Sequence, residues 1–335
     1  MRAWGLPVLV LLAACAWPAR GEEDAEPADL RLRLAPGQAL RYAWTLDAVS
    51  DSKGQELGKP LDLHMDKTIR MTAVILGEAP PKGEKDLAGL LRFEDLSIQE
   101  NRRIGEASRS VLQLDNRTIL VKENERVLID SRNDIGLDKL TMYQRSLRSL
   151  QRSAARIFFD AAGRQTRVEG DRILLNTAHG GHSQGLFPSL SGESSKPGAS
   201  WEGNFELPAL AEVKLDTPAA VRTRATFARW DVLDGRRLAM LDVLAAWESR
   251  DLQGRDENGL SVTITRLEAQ GGGVYHFDPR EGRFVQGTMR FQLKYHLQGK
   301  RGNDTTDLDV SGRARFNFQL QPGEPKPPTG TKAKP

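Results

Sequence analysis

The chain is almost free of cysteine, since Cys15 is the only one among 335 residues. An intramolecular disulfide is therefore impossible, and the body of the chain has no cysteine for a metal site or thiol catalysis. Beyond the first residues, no apolar run is long enough to cross a membrane as a helix. A secreted animal domain of this size would often use disulfides. Their absence, with an Ala-rich and Arg-rich composition, favours a bacterial envelope protein.

An excess of charge of one sign is also lacking. The chain has 48 basic and 45 acidic residues, and its formal net charge is +3. Arg2 and Arg20 lie in the leader described below, and without them the formal net charge falls to +1. A nucleic-acid-binding protein usually shows a basic stripe with interleaved aromatic residues. The sequence has no such stripe, so we expect no nucleic-acid partner.

The sequence signatures of common catalytic sites are missing as well. There is no Gly-x-Ser-x-Gly elbow, phosphate-binding loop, His-Glu-x-x-His motif or dinucleotide fingerprint. A Ser-x-x-Lys match at Ser50–Lys53 lies in a predicted turn, whereas such a pair usually needs a helix N-terminus. His179 and His182 form the only close histidine pair, and a zinc site would need further ligands. We therefore expect no enzyme activity, metal or cofactor, and an uncharacterised hydrolase is the less favoured hypothesis.

Residues 1–21 have the pattern of a secretory signal peptide. Arg2 supplies a basic start, an apolar run covers residues 6–16, and small residues allow cleavage after Gly21. The alternative is a lipoprotein signal at residues 1–14, because the stretch LAAC, which ends at Cys15, resembles a bacterial lipobox. Cys15 would then be lipidated. Both alternatives predict export to the periplasm or cell envelope, the second with a lipid anchor.

The dominant hydrophobic period is two, which is typical of β-strands with one apolar and one polar face. Residues 288–298 and 308–320 alternate in this way around a turn, and predict a long antiparallel hairpin near the end of the fold. The apolar parity changes within residues 90–99 and 221–232, and such changes predict β-bulges. Residues 236–247 are apolar on both faces and predict a central strand, although periodicity alone also allows a helix.

One segment has a helical period instead. Its apolar residues recur at intervals of three and four, at Leu140, Tyr143, Leu147, Leu150 and Ala154. This spacing predicts an amphipathic helix over about residues 138–154, packed on the sheet of the first half of the chain.

A repeated phrase suggests that the chain has two related halves. Phe159-Asp160 is followed by Gly163-Arg164, and Phe277-Asp278 by Gly282-Arg283. Each phrase predicts a hairpin, because Asp bonds its local backbone and Gly permits positive φ. We therefore predict a mainly β (α+β) fold of two antiparallel β-rich halves with long bulged strands. The predicted divisions are a mobile leader at 22–29, a first half at 30–178, a linker at 179–196, a second half at 197–321 and a disordered tail at 322–335.

The order of these elements resembles a known family. A signal peptide is followed by LAPGQALRYAW, alternating strands, a helix, RIFFDAAGRQTRVEG, FPSLSGESSKPGASWEG and GGGVYHFDPREGRF. This order is similar to exported bacterial proteins, common in planctomycetes and Bacteroidetes, that are built on a domain of unknown function. The resemblance implies an exported β-rich fold. The family has no established activity, so the resemblance implies no catalytic residues.

Function is predicted as non-catalytic. Long bulged sheets can enclose an apolar groove that binds a lipid or another apolar ligand. The residues predicted to line it are Phe291, Leu293, Tyr295, Phe316 and Phe318. The alternative is a structural or interaction protein of the cell envelope, which would use its sheet surface or its Pro/Lys-rich tail.

Overall fold

The computed structural model describes residues 25–106, 108–115, 118–136, 154–170, 187–210, 213–255, 259–301 and 303–322. This part of the chain is all-β and contains no α-helix, which confirms the β-rich prediction. The amphipathic helix predicted at about 138–154 lies outside the described residues, except for Ala154, which begins a strand. His179, His182 and nearly all of the predicted tail also lie outside them.

The strands of the described residues are numbered here in chain order. They are β1 (Ala28–Asp29), β2 (Ala39–Glu56), β3 (Lys59–Glu78), β4 (Leu87–Ile104), β5 (Ser108–Leu114), β6 (Ile119–Glu123), β7 (Arg126–Asp130), β8 (Ala154–Phe159), β9 (Gln165–Gly170), β10 (Ser194–Ser195), β11 (Ser200–Leu210), β12 (Val213–Leu233), β13 (Arg236–Ser249), β14 (Leu252–Arg255), β15 (Ser261–Asp278), β16 (Arg283–Arg301) and β17 (Asp304–Leu320).

Most of these strands form one antiparallel sheet. Its order is β11-β12-β13-β15-β16-β17-β2-β3-β4-β5-β6-β7, while β8 lies beside β4, β9 beside β8, and β14 beside β12 and β15. The strands of the two predicted halves therefore occupy two contiguous blocks, which join where β17 pairs with β2. The origin of these blocks by duplication stays a prediction.

The predicted leader and linker meet in a separate two-stranded sheet. Ala28 pairs with Ser195, and Asp29 pairs with Ser194. Ala28 is buried, and the indole N–H of Trp230 donates a hydrogen bond to the carbonyl of Glu26 at 2.9 Å. The end of the predicted leader is therefore part of the fold.

Several strand predictions are confirmed. β16 and β17 form the long hairpin, and residues 236–247 lie in strand β13. In β4, Asp95 and Leu96 together face Met71 of β3, and Asp95 has a φ of 49°. In β12, Ala228 is the extra residue of a second bulge. Both bulges lie where the apolar parity changes in the sequence.

The turn predicted at Ser50–Lys53 is wrong. These residues continue β2 and pair with β17 on one side and with β3 on the other. The chain turns only at Leu57 and Gly58, which both have positive φ. Hydrogen bonds to strands on both sides hold this polar stretch in an extended conformation, although its composition favours a turn.

The large sheet has two chemically different faces. We call the face that carries Trp44, Phe316 and Phe318 the inner face, and the opposite face the polar face. The rings of Trp44 and Phe316 lie 4.7 Å apart, and Phe187 stacks on Phe284 at 4.8 Å. These rings belong to one apolar core that joins both blocks of strands.

The two Phe-Asp phrases form hairpin turns, as predicted. Gly163 and Gly282 have φ values of 71° and 65°. The N–H of Gly163 donates to the carbonyl of Asp160 at 2.9 Å, and the N–H of Gly282 donates to the carbonyl of Asp278 at 2.7 Å. One turn joins β8 to β9, and the other joins β15 to β16.

Both turns bind the same extended segment, residues 30–34, which we call the N-terminal strap. The N–H of Leu32 donates to the carbonyl of Ala161 at 2.9 Å, and the N–H of Arg33 donates to the carbonyl of Gly282 at 2.7 Å. Leu30 is fully buried in the apolar core. The strap therefore links the two hairpins that the repeated phrases form.

Candidate functional site

The five residues predicted to line an apolar groove share the inner face of the last hairpin. Phe291, Leu293 and Tyr295 alternate along β16 with polar residues, and Phe316 and Phe318 lie on β17. Tyr295, Phe316 and Phe318 are buried in the core, whereas Phe291 and Leu293 are only partly buried. The structure thus brings the five residues onto one face, and their role in a groove stays a prediction.

Small residues surround the two partly exposed ones. The residues directly beside Phe291 and Leu293 on the neighbouring strands are Gly271, Ala269, Ala314 and Gly312. A Cβ atom on Gly271 would lie 2.6 Å from Cδ1 of Phe291, so the phenyl ring lies over this glycine. We call these six residues the apolar strip. Its small side chains keep it shallow between the taller rings of the core.

An open cavity of about 1420 Å³, here called the polar trough, is lined mainly by residues of the polar face. Of the five predicted groove residues, Leu293 alone borders it. One row of lining residues runs directly across the strands: Arg222, Ala246, Gln270, Gln292, Arg313 and Val49. Neighbouring strands lie about 4.8 Å apart, so the backbones of Arg222 and Arg313 are separated by four strand spacings, about 19 Å measured along the sheet.

Four cationic side chains line the trough: Arg222, Arg250, Lys294 and Arg313. All four residues are exposed to solvent. No carboxylate in the described part of the chain lies within 4.0 Å of any of their nitrogen atoms. These four side chains therefore form no direct ion pair with a described carboxylate, although Glu268 lies opposite Lys294 across β15 and β16.

The acidic residues of the trough are largely neutralised. Asp51 accepts a hydrogen bond from His64 at 2.8 Å, and Glu268 forms an ion pair with Arg266. Glu248 is the remaining acidic residue of the lining. The trough therefore presents more positive than negative charge.

His64 lies between two carboxylates on the polar face. Its Nδ1 atom lies 2.8 Å from Asp51, and its Nε2 atom lies 3.2 Å from Asp66. The hydrogen bond to Asp51 raises the pKa of His64 above its ordinary value. Burial acts in the opposite direction, and the charge of Asp66 adds to the increase. Asp51 is therefore held in a hydrogen bond with His64 at the wall of the trough.

The described histidines have no free ring nitrogen. Each imidazole has two partners at 2.8–3.5 Å: Asp51 and Asp66 for His64, Asp231 and Gln286 for His276, and Asp309 and Asp307 for His296. A general base needs a free nitrogen directed at the reacting proton. The described residues also contain no group of three or more side chains arranged to hold a metal ion.

A buried ionic cluster on the inner face was not identified from the sequence. Glu100 of β4 lies between Lys67 of β3 at 2.9 Å and Arg102 at 2.5 Å, and its side chain is only 7% exposed. Burial raises the pKa of Glu100, but the two cations outweigh that effect and hold it below its ordinary value. Lys67 and Glu100 are opposite each other across the β3–β4 pair.

The trough was also not recognised from the sequence, where Arg313 resembles an ordinary solvated charge. The sequence does contain one indication of the trough. Alternation of apolar and polar residues places Arg313, Lys294 and Arg222 at the positions of their strands that face the polar side. Their alignment depends on the register of several strand pairs, which local sequence does not specify.

No family model matches this chain, and no curated protein matches it. A structure described as lipid–protein interactions in lipovitellin is similar at 12% identity and a TM-score of 0.45, and the match covers 90% of this chain and 27% of that one. The beta domain of the Bordetella autotransporter Brka is similar at 10% identity and a TM-score of 0.25, with 85% and 99% covered. An outer membrane channel from Pseudomonas putida F1 is similar at 9% identity and a TM-score of 0.22, with 89% and 100% covered.

This chain thus spans about a quarter of the length of the lipovitellin chain. TM-scores of this size do not establish a common fold. In the ranges that the structure describes, no helix has the length and apolar character needed to cross a membrane.

Proposed function

We propose that this chain is a non-catalytic, exported protein of the bacterial cell envelope that binds an apolar ligand, a lipid, on the inner face of its sheet. The observation that carries the proposal is the apolar strip. Phe291 and Leu293 remain partly exposed there, although the same face buries Phe316 and Phe318 nearby. An acyl chain laid on this strip would complete the burial of both residues.

The shape of the strip supports this proposal. Gly271 and Gly312 have no side chain, and Ala269 and Ala314 have only a methyl group. The strip is therefore lower than the aromatic core beside it and leaves room for a thin aliphatic chain. Each methylene group that the ligand buries would contribute about 0.8 kcal/mol.

The envelope location is part of the same proposal. It is supported by the leader, by the lipobox-like LAAC that ends at Cys15, and by the absence of cysteine from the rest of the chain. The resemblance to exported bacterial proteins built on a domain of unknown function points in the same direction. Cys15 would carry the lipid anchor if the lipoprotein signal is used.

Binding of N-phenyl-1-naphthylamine, an uncharged apolar dye that fluoresces when it leaves water, tests the proposal. Full-length protein should raise its fluorescence in a saturable way. Leu293→Asn should weaken the dye affinity by about fivefold, because a polar group replaces apolar contact area. Leu244→Asn is the matched control, since Leu244 is 62% exposed on the polar face.

A second variant separates ligand binding from folding. Ala314→Leu fills the strip without adding a polar group, and it should also weaken dye binding while circular dichroism shows an intact sheet. Absence of a fluorescence rise with the full chain would contradict the proposal. Equal effects of Leu293→Asn and Leu244→Asn would contradict the assignment to the inner face.

A second candidate function is a structural or interaction role in the envelope through the sheet surface. The polar trough favours this candidate, because it is an open concave surface with an excess of positive charge. The trough uses mainly side chains of the polar face and shares Leu293, Ala269 and Gly312 with the apolar strip.

A further inference from the structure

We infer that the polar trough binds an extended acidic glycan, a chain of sugars that carries carboxylate or sulfate groups. The first observation is the set of four cations, Arg222, Arg250, Lys294 and Arg313, without ion-pair partners among the described residues. Charges gathered on a concave surface reinforce one another's field, so the trough attracts anions more strongly than a flat surface with the same charges.

The second observation is the shape of the site. Arg222 and Arg313 lie in one row across the sheet, and their backbones are about 19 Å apart along the sheet. An extended chain with repeated acidic groups can follow this row and contact both guanidinium groups. A guanidinium group also offers a planar fork of donors that fits a carboxylate or sulfate.

The third observation is that uncharged polar residues lie between the cationic ones. Gln270, Gln292 and Ser311 line the middle of the trough, and their side chains can both donate and accept hydrogen bonds. Sugar hydroxyl groups have the same double capacity. The neutral part of the lining is therefore suited to the neutral part of an acidic glycan.

Other polyanions fit the trough less well. The strands beneath it are paired on both sides, so an acidic peptide has no free strand edge to extend. Single-stranded nucleic acid requires exposed aromatic rings for base stacking. Trp247, the aromatic residue of the lining, is only 7% exposed. A flat bilayer surface would not follow the concave floor.

Fluorescence anisotropy with fluorescein-labelled oligogalacturonate tests the inference on the full chain. Binding should be saturable and should weaken as sodium chloride is added, because salt screens exposed charges. Lys294→Gln and Arg313→Gln should each weaken the affinity by about three- to fivefold, and the double variant by about tenfold or more. Arg290→Gln is the matched control, because Arg290 lies on the same face of β16 but does not line the trough.

Labelled dextran and labelled polyglutamate complete the experiment. Dextran, which has no charge, should not bind. Binding of polyglutamate more tightly than oligogalacturonate would overturn the assignment to a glycan. No binding of oligogalacturonate, or an equal loss in Arg290→Gln and Lys294→Gln, would overturn the site itself. Leu293, Ala269 and Gly312 of the apolar strip also border the trough. The two experiments are nevertheless distinguishable, because this one changes Lys294 and Arg313, whereas the dye experiment changes Leu293 and Ala314.

Discussion

Replacement of Gly282 by alanine tests how the second hairpin holds the N-terminal strap. Gly282 has a φ of 65°, which an L-residue adopts only at a cost. A Cβ atom added there would lie 2.6 Å from Cβ of Arg33. The strap would have to move, and its movement would strain the 2.7 Å hydrogen bond from the N–H of Arg33 to the carbonyl of Gly282.

The expected loss has three parts. The left-handed backbone costs about 1 kcal/mol for alanine. The steric displacement of the strap adds about 1–2 kcal/mol, and the weakened hydrogen bond adds about 0.5–1 kcal/mol. We therefore expect Gly282→Ala to lower the free energy of unfolding by about 3 kcal/mol.

Gly163→Ala is the matched control in the other hairpin. Gly163 has a φ of 71°, but a Cβ atom there would lie 3.8 Å from Cβ of Leu32, an ordinary van der Waals contact. Only the backbone term applies, so we expect a loss of about 1 kcal/mol. Equal losses in the two variants would refute the close contact between the Gly282 turn and Arg33. Urea unfolding measures the loss of unfolding free energy in both variants, and an unchanged m-value shows that the losses can be compared.

Further predictions concern the ionic groups. Glu100→Gln should lower the free energy of unfolding by about 3 kcal/mol, because it removes the carboxylate that the buried cation of Lys67 contacts. Glu94→Gln changes a partly exposed ion pair on the same strand and should cost less than about 1 kcal/mol in the same urea assay. Similar losses in the two variants would contradict the effect that we assign to burial. The fold lowers the pKa of Glu100, so ionised Glu100 should stabilise the fold above the unfolded-state pKa of about 4.3. This stabilisation should be lost as the pH falls through the folded-state pKa. Acid unfolding should show this loss in the wild-type chain and not in Glu100→Gln. Asp51→Asn should lower the pKa of His64 toward its ordinary value, which an NMR titration of the imidazole measures; an unchanged pKa would contradict the assigned hydrogen bond. Because the pKa of His64 is raised in the fold, its protonation should stabilise the wild-type chain most below about pH 6.5, with the effect lost as the pH rises through the folded-state value.

Local pattern was sufficient to predict much of the sheet. Alternation predicted the β16–β17 hairpin, and parity changes predicted the bulges at Asp95 and Ala228. The Phe-Asp phrases predicted two turns with glycine at positive φ. These features depend on residues that are close in sequence, so hydrophobic period and turn chemistry specify them.

Features that depend on distant pairing were not predictable in the same way. Ser50–Lys53 has the composition of a turn, yet it forms a strand because β17 and β3 supply partners on both sides. The ion pair of Lys67 and Glu100 requires the register of β3 against β4. The trough requires the registers of several strand pairs at once, and the contact of the strap with Gly282 joins residues 249 positions apart.

Native mass spectrometry of the protein purified from its own cell envelope tests the central proposal most directly. If the apolar strip holds a ligand, the native mass should exceed the mass of the denatured polypeptide by the mass of one apolar ligand. Organic solvent should extract this ligand, and mass spectrometry of the extract should identify it. The denatured mass also distinguishes cleavage after Gly21 from lipidation at Cys15. Identical native and denatured masses, with no lipid in the solvent extract, would contradict the proposal that the apolar strip holds a ligand.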